Sequence, residues 1–316
     1  MKQVLVTGGA GFIGCNLVKA LLLRDEQVVV LDNFSSGKRE NLNFVNELAS
    51  KGNFKLIEGD ICDYQTCLKA TKEVEVVFHQ AALKSVPESI EKPKIYNQVN
   101  VGGTLNLLKA CSQNRVEKFI FASSSSVYGD AEKFPQTEDS EPNPLSPYAF
   151  TKLAGEFYLN LYCRYSDIKG VSLRYFNVYG PYQALDDQYA VVIPKFINSI
   201  LADQQPPIFG DGNQSRDFVY IGDVVRANLL AAAKSDLAGQ VLNIASGVEI
   251  KVIDIAHVVA NQLNKKAEPQ YLPPRSGDAY KTLADISRAG TFLDYKPEVD
   301  FNSGIAKTID FFRQKK

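Results

Sequence analysis

The chain has 316 residues, 45% of them hydrophobic, and 35 basic against 36 acidic side chains leave a net charge of −1. This is enough apolar length for a substantial core, arranged in two lobes, and the charge balance excludes the electrostatic footprint of a nucleic-acid or anionic-membrane binder. Cys15, Cys62, Cys67, Cys111 and Cys163 show no metal-type C-x-x-C spacing and the only histidines are His79 and His257. Reduced thiols, a cytoplasmic setting and no structural zinc follow, and the first apolar run is too short for a signal peptide or a membrane span.

Lys2–Thr7 reads as a short buried parallel strand that runs directly into a glycine-rich turn, Gly8 to Gly14. Gly9, Gly11 and Gly14 fit G-x-G-x-x-G, the pattern of a tight turn whose backbone approaches a pyrophosphate. The helix predicted over Phe12 to Arg24 would aim its first N–H groups at the phosphates. A second strand, Gln27–Leu31, ends at Asp32, about twenty residues beyond the turn, where a carboxylate binds the ribose hydroxyls of an adenosine. The expected cofactor is NAD, because this carboxylate would repel a 2′-phosphate; Lys38 and Arg39 are the nearby cations that could serve NADP instead.

Strand-like segments at Phe54–Glu58, Val74–His79, Lys118–Ser123 and Val171–Phe176 alternate with helices expected at Val99–Arg115 and Pro147–Tyr165. This alternation predicts an α/β fold, a doubly wound parallel sheet of Rossmann type with a smaller α/β C-terminal substrate lobe. Ligands bind beyond the carboxyl ends of such strands. Asp60, His79 to Ala82, the serines Ser123 to Ser126 and Asn177 should therefore face one crevice. After Gly180 the pattern loosens, so the expected division is a dinucleotide-binding domain over 1–178 and a substrate lobe over 179–316, with segments near 217–245 returning to the first.

Tyr148 and Lys152 share one side of the Pro147–Tyr165 helix, four residues apart, and Pro147 suits its first turn. An ammonium there would lower the phenol pKa, and a hydroxyl from the serine run could pass on or orient a proton. Together they make a general base toward an alcohol. The same helix carries Leu153, Phe157 and Leu161 together with Tyr158, Tyr162 and Tyr165 on more than one side. That second apolar face is expected to meet a partner, or else the small lobe of the same chain.

Several motifs in order, Thr7–Gly14, Asp32–Gly37, Gly59–Ile61, His79–Ala82, Asn100, Ser124–Gly129, Tyr148–Lys152, Arg174–Asn177 and Ser215–Tyr220, span nearly the whole chain. The chain thereby resembles the extended short-chain dehydrogenases/reductases of the nucleotide-sugar epimerase/dehydratase group. The resemblance implies a catalytic Ser124, Tyr148 as base and Lys152 on the nicotinamide ribose. It implies that NAD is surrounded by Gly8, Gly11, Phe12, Ile13, Gly14, Asp32, Asn33, Ser36, Gly37, Asp60, Ile61, Gln80, Ala81, Ala82, Lys84, Asn100, Ser123, Tyr175 and Phe176, besides Tyr148 and Lys152. The substrate, a UDP-sugar, would meet Lys84, Ser85, Ser124, Ser125, Ser126, Tyr148, Asn177, Val192, Ile208, Phe209, Arg216, Arg275, Asp278 and Thr282.

Within the group, the 4,6-dehydratases resemble a form with an Asp-Glu pair where Ser125 and Ser126 stand here, and the decarboxylases one with a glutamate at Ser126. Serines do not supply that acid–base chemistry, so the resemblance points to a 4-epimerase. Thr282 falls at the family's gatekeeper position, where a small residue admits a 2-acetamido group and a tyrosine excludes it. The expected substrates are UDP-GlcNAc and UDP-GalNAc, with UDP-glucose also accepted. A UDP-glucose-only enzyme, a UDP-hexuronate 4-epimerase and a non-catalytic NAD-binding protein are the alternatives. The family's dimers pair helices into a four-helix bundle, which implies a homodimer.

Overall fold

The computed structural model describes residues 3–49, 52–184, 192–273 and 280–314. Twelve strands are present among them: β1 (Gln3–Thr7), β2 (Gln27–Asp32), β3 (Phe54–Glu58), β4 (Val76–His79), β5 (Lys118–Ser124), β6 (Lys169–Tyr175), β7 (Asn177–Tyr179), β8 (Pro207–Phe209), β9 (Ser215–Tyr220), β10 (Gln240–Ile244), β11 (Glu249–Lys251) and β12 (Gln270–Leu272). Seven form one parallel sheet in the order β10-β6-β5-β4-β1-β2-β3. β2, with three consecutive valines, is buried along all but its first residue. Such unbroken apolar runs are what a parallel strand covered on both faces requires.

The helices Phe12–Leu23 and Ile221–Ala233 cover one face of the sheet, packing Leu17, Val18 and Leu21 with Val224, Ala227 and Ala231. Tyr64–Ala70, Gly103–Gln113 and Pro147–Tyr165 cover the other, burying Cys67, Leu107, Leu108, Cys111 and Leu159. The doubly wound fold read from the sequence is the fold observed. Chain order reverses between β1 and β4, and the crevice opens at the carboxyl ends of these two strands, as the switch-point rule requires.

A second cluster of apolar side chains joins the helices Val192–Leu201, Val252–Gln262 and Phe301–Gln314 around Ile208 and Phe218. Two small sheets, β11-β9-β7 and β12-β8, accompany it. Between them the chain returns to the main sheet, where β10 pairs with β6.

Several boundaries differ from the sequence reading, three of them as follows. The strand expected from Val74 starts at Val76, because the Val74 N–H closes a turn onto the Thr71 carbonyl. The helix expected over Val99–Arg115 is a π-helical turn at Asn97–Gly102 followed by an α-helix at Gly103–Gln113. The strand expected over Val171–Phe176 runs from Lys169 to Tyr175. Among the described residues no helix is long and apolar enough to cross a membrane. On the Pro147–Tyr165 helix, Tyr158 and Tyr162 pack inward, whereas Phe150, Phe157, Leu161 and Tyr165 stay exposed, so the small lobe does not cover that face.

Candidate active site

The glycine-rich turn is held by close approach. Gly8 has φ +66°, and a Cβ placed on it would lie 2.8 Å from the backbone of Ala81; one on Gly14 would lie 2.1 Å from the Gly8 carbonyl oxygen. The Phe12–Leu23 helix starts from Gly11 without a side-chain cap. Its first N–H groups, which have no partner within the helix, therefore face the crevice with the positive end of the helix dipole behind them. Asp32 ends β2 and is 7% exposed. It accepts from the Ala10 N–H at 2.9 Å and the Phe34 N–H at 2.8 Å, which fixes its carboxylate at the crevice wall. A cradle too tight for a side chain, an uncapped helix start and an anchored carboxylate fit the pyrophosphate and ribose of a dinucleotide.

The crevice is lined by Gly8, Gly11, Phe12, Ile13, Gly14, Asp32, Asn33, Ser36, Gly37, Asp60, Ile61, Gln80, Ala81, Ala82, Lys84, Ser123, Tyr148, Lys152 and Tyr175, as anticipated. Leu31, Ser35, Gly59, Leu83, Val99 and Ala122 also line it and were not singled out. All but Val99, which lies in the π-helical turn, are in or close behind the ends of strands, and position relative to those ends was the signal that could have found them. Asp60 is bound by the Asn33 amide and the Cys62 N–H, both at 2.8 Å. Burial works against its charge, but these donors hold the carboxyl below the usual aspartate range. Arg39 pairs with Glu58 at 2.5 Å and stacks on Phe34, so its guanidinium is already engaged rather than awaiting a 2′-phosphate.

Ser124, Ser125, Ser126 and Asn177, expected in the same crevice, are not among its lining residues, and three more of the expected residues stand elsewhere. His79 is 1% exposed and lies behind the crevice, bonded to Thr7 Oγ1 at 2.7 Å and Thr104 Oγ1 at 2.9 Å. Asn100 is buried in the π-helical turn, where it takes the Leu83 N–H and donates to the Leu83 carbonyl and Thr151; it braces the Ala81–Lys84 segment instead of lining the crevice. Phe176 is 1% exposed and packs with Val127, Tyr128, Ala245 and Ala284. The sequence pattern placed His79 and Phe176 at strand ends, and the resemblance placed Asn100 beside NAD, but neither says which way a side chain turns.

At the crevice floor, Ser146 caps the Pro147–Tyr165 helix by accepting from the Ala149 N–H, and Pro147 fills its first turn. The Tyr148 phenol lies beside the Ser124 side chain. Burial pushes the phenol above the ordinary tyrosine range, and Ser124 pulls it back. The Lys152 ammonium was expected to do this. It instead donates to the Ala122 carbonyl at 2.8 Å and sits 5.9 Å from the centre of the Tyr148 ring, while burial pushes its own pKa down to about 8. Ser126 donates to Ser124 Oγ through its backbone N–H at 3.2 Å and its hydroxyl at 2.9 Å, which orients the Ser124 hydroxyl. An oriented hydroxyl, a half-buried phenol and a lysine on one helix face can exchange a proton with an alcohol.

The family model for the NAD dependent epimerase/dehydratase family matches residues 4–245. The chain belongs to that family. Among solved structures, this epimerase/dehydratase is similar to the UDP-N-acetylglucosamine 4-epimerase from Methanobrevibacter ruminantium M1 in complex with UDP-N-acetylmuramic acid, at 40% identity and a TM-score of 0.94 over 100% of this chain and 99% of that one. It is also similar to the UDP-glucuronic acid 4-epimerase from Bacillus cereus in complex with UDP-glucuronic acid and NAD, at 36% identity and a TM-score of 0.91 over 99% and 100%. The UDP-glucose 4-epimerase of Mycolicibacterium smegmatis is 40% identical over 99% of both chains. NAD is the cofactor of this family member.

On the substrate side of the epimerase/dehydratase, Asn177 donates to the Asp217 carbonyl at 2.8 Å and to Thr282 Oγ1 at 3.1 Å, which joins two expected residues. Thr282 is further held by β9 through the Ser215 carbonyl and the Asp217 N–H. Arg216 donates to the carbonyls of Ser215 and Tyr280. Ser85 caps the Val86–Glu91 helix. Ile208 is fully buried in the core of the second lobe, whereas Phe209 and Val192 are half-buried. Arg275 and Asp278 lie outside the described residues.

Proposed function

We propose that the chain is a cytoplasmic UDP-sugar 4-epimerase that interconverts UDP-GlcNAc and UDP-GalNAc and also accepts UDP-glucose. The observation that carries the reading is that Tyr148 and the buried Lys152 line the crevice together from one helix, with Ser124 beside the phenol. Gly8 to Gly14, Asp32 and Asp60 would hold NAD, with Lys152 near the nicotinamide ribose. Bound NAD supplies a hydride acceptor at one face of C4 and a hydride donor at the other. Tyr148 takes the proton of the sugar 4-hydroxyl, and Ser124 holds that hydroxyl in line. Once the 4-keto sugar has turned over in the pocket, Tyr148 returns the proton, so C4 inverts with no net redox change.

Ser125 and Ser126, rather than a carboxylate pair, follow Ser124, and this supports epimerisation over dehydration. Thr282, small and tied to Asn177, supports room for a 2-acetamido group. The uncovered apolar face of the Pro147–Tyr165 helix supports a homodimer through a four-helix bundle. UDP-GlcNAc, UDP-glucose and UDP-glucuronate, each incubated without added NAD and followed by anomeric proton NMR, test the reading. Formation of UDP-GalNAc is the expected result. Turnover of UDP-glucose alone would remove Thr282 as the determinant, and turnover of UDP-glucuronate alone would transfer the protein to the uronate class.

A further inference from the structure

We propose that Glu156 is a positioning residue of the reaction: with Arg174 it clamps Ser123 and thereby sets the end of β5 so that Ser124 meets Tyr148. The inference rests on the reading of Tyr148 as the base. Tyr148, Lys152 and Glu156 recur every four residues along one helix and so stack on one face. Lys152 ties to the Ala122 carbonyl and Glu156 to the Ser123 hydroxyl of the β5 end, and the Tyr148 phenol lies beside Ser124. One turn away, a Cβ on Gly155 would lie 2.3 Å from the Phe121 ring, so helix and strand touch with no spare room.

Arg174 stands opposite Ser123 in the register of β5 and β6. Its guanidinium binds Glu156 twice, at 2.8 and 2.7 Å, with both side chains about 5% exposed or less. The guanidinium in turn stacks on Tyr128, 4.7 Å from the ring centre. A bidentate buried pair has a fixed geometry, and Glu156 Oε1 receives both Arg174 Nε and the Ser123 hydroxyl. Position, not stability, is what such a pair supplies, since replacing both partners by apolar residues is tolerated where removing one is not. Ser124 follows Ser123 directly, so a shift of Ser123 moves the hydroxyl beside Tyr148. The other charged or titratable groups lining the crevice are Lys152 from the same helix, Lys84 from the segment after β4, Asp32 and Asp60 from the ends of β2 and β3, and Tyr175 from β6.

The test compares Ser123→Ala, Glu156→Gln and the double variant Glu156→Leu/Arg174→Leu in the full-length protein. Thermal melting, bound NAD content, kcat, KM and the pH profile of kcat are read for each. Ser123→Ala and the double variant are expected to retain NAD, to lose tenfold or more in kcat with KM within about twofold, and to move the acid limb of the profile to higher pH as Ser124 moves away from the phenol. Glu156→Gln keeps an acceptor for Ser123 and is expected to fall between them and the wild type. Ser123→Ala leaves the ion pair whole, so it decides the matter even where the double variant fails to fold. Wild-type kcat and pH profile in Ser123→Ala overturn the clamp. Tyr148→Phe, run alongside, separates the two readings: full activity there overturns the base itself, and lost activity there with a wild-type Ser123→Ala overturns the clamp alone.

Discussion

Gly14→Ala puts a methyl group where the turn has no space for one. The added Cβ would sit 2.1 Å from the Gly8 carbonyl oxygen and 2.8 Å from the Gly9 Cα. Both contacts are backbone, so no side chain can swing aside, and the start of the Phe12–Leu23 helix must move away from the turn by about an ångström. Overpacking of this kind costs about 3 kcal/mol, at the upper end of what well-packed interiors show. For a chain of this size that lowers the melting temperature by roughly 4–5 °C. The displaced helix start also carries the N–H groups that face the crevice, so NAD affinity is expected to fall at least tenfold, about 1.4 kcal/mol. Gly11→Ala is the control, because its Cβ would meet only the Gly8 oxygen, at 3.2 Å; a melting temperature within about 1 °C of wild type is expected there. Calorimetry and the nucleotide released on denaturation measure both effects. A Gly14→Ala protein that melts with the wild type and carries its full NAD would refute the steric argument.

Tyr148→Phe is expected to lower kcat by roughly 10²–10⁴, the usual worth of a positioned base, with NAD still bound on denaturing release; wild-type turnover would dismiss Tyr148. His79 is buried and its pKa is pushed down to about 3 from 6.5. Between these values the unfolded chain takes up a proton that the folded one refuses, so stability falls as pH drops from about 6.5 toward 3. Urea titrations across that range should show this loss in the wild type and a shallower one in His79→Gln, and equal slopes would contradict it. Phe157 and Leu161 stand exposed on the Pro147–Tyr165 helix. Light scattering at micromolar concentration should find the wild type dimeric and Phe157→Glu/Leu161→Glu monomeric; a monomeric wild type ends the dimer reading.

The dinucleotide half was legible because its signals are local. Consecutive valines made β2, the glycines made the turn, and Ser146 with Pro147 started the helix that carries Tyr148 and Lys152. What escaped were directions and long-range partners. Nothing in the sequence around His79 says that Thr7 and Thr104 will take both ring nitrogens, and nothing around Asn100 says that its amide will brace Leu83. Glu156 was passed over although it continues the four-residue spacing, because its partners Ser123 and Arg174 arrive from two other strands. The second lobe was least legible. Its three-residue strands are too short to show a period, and Ile208 is core there for reasons set by three distant helices.

The order of the large sheet bears on how the protein holds together. The wall formed by Gly8 to Gly14, Asp32 and Asp60 comes from β1 to β3, while the facing wall, from Gln80 through Lys84 to Ser123 and Tyr175, comes from strands on the far side of β1. A dinucleotide lying along the crevice touches both halves and so acts as a cross-brace over the seam between β1 and β4. By linkage, each tenfold excess of NAD over its dissociation constant adds about 1.4 kcal/mol against unfolding. Separating the halves and releasing the nucleotide thus become one event.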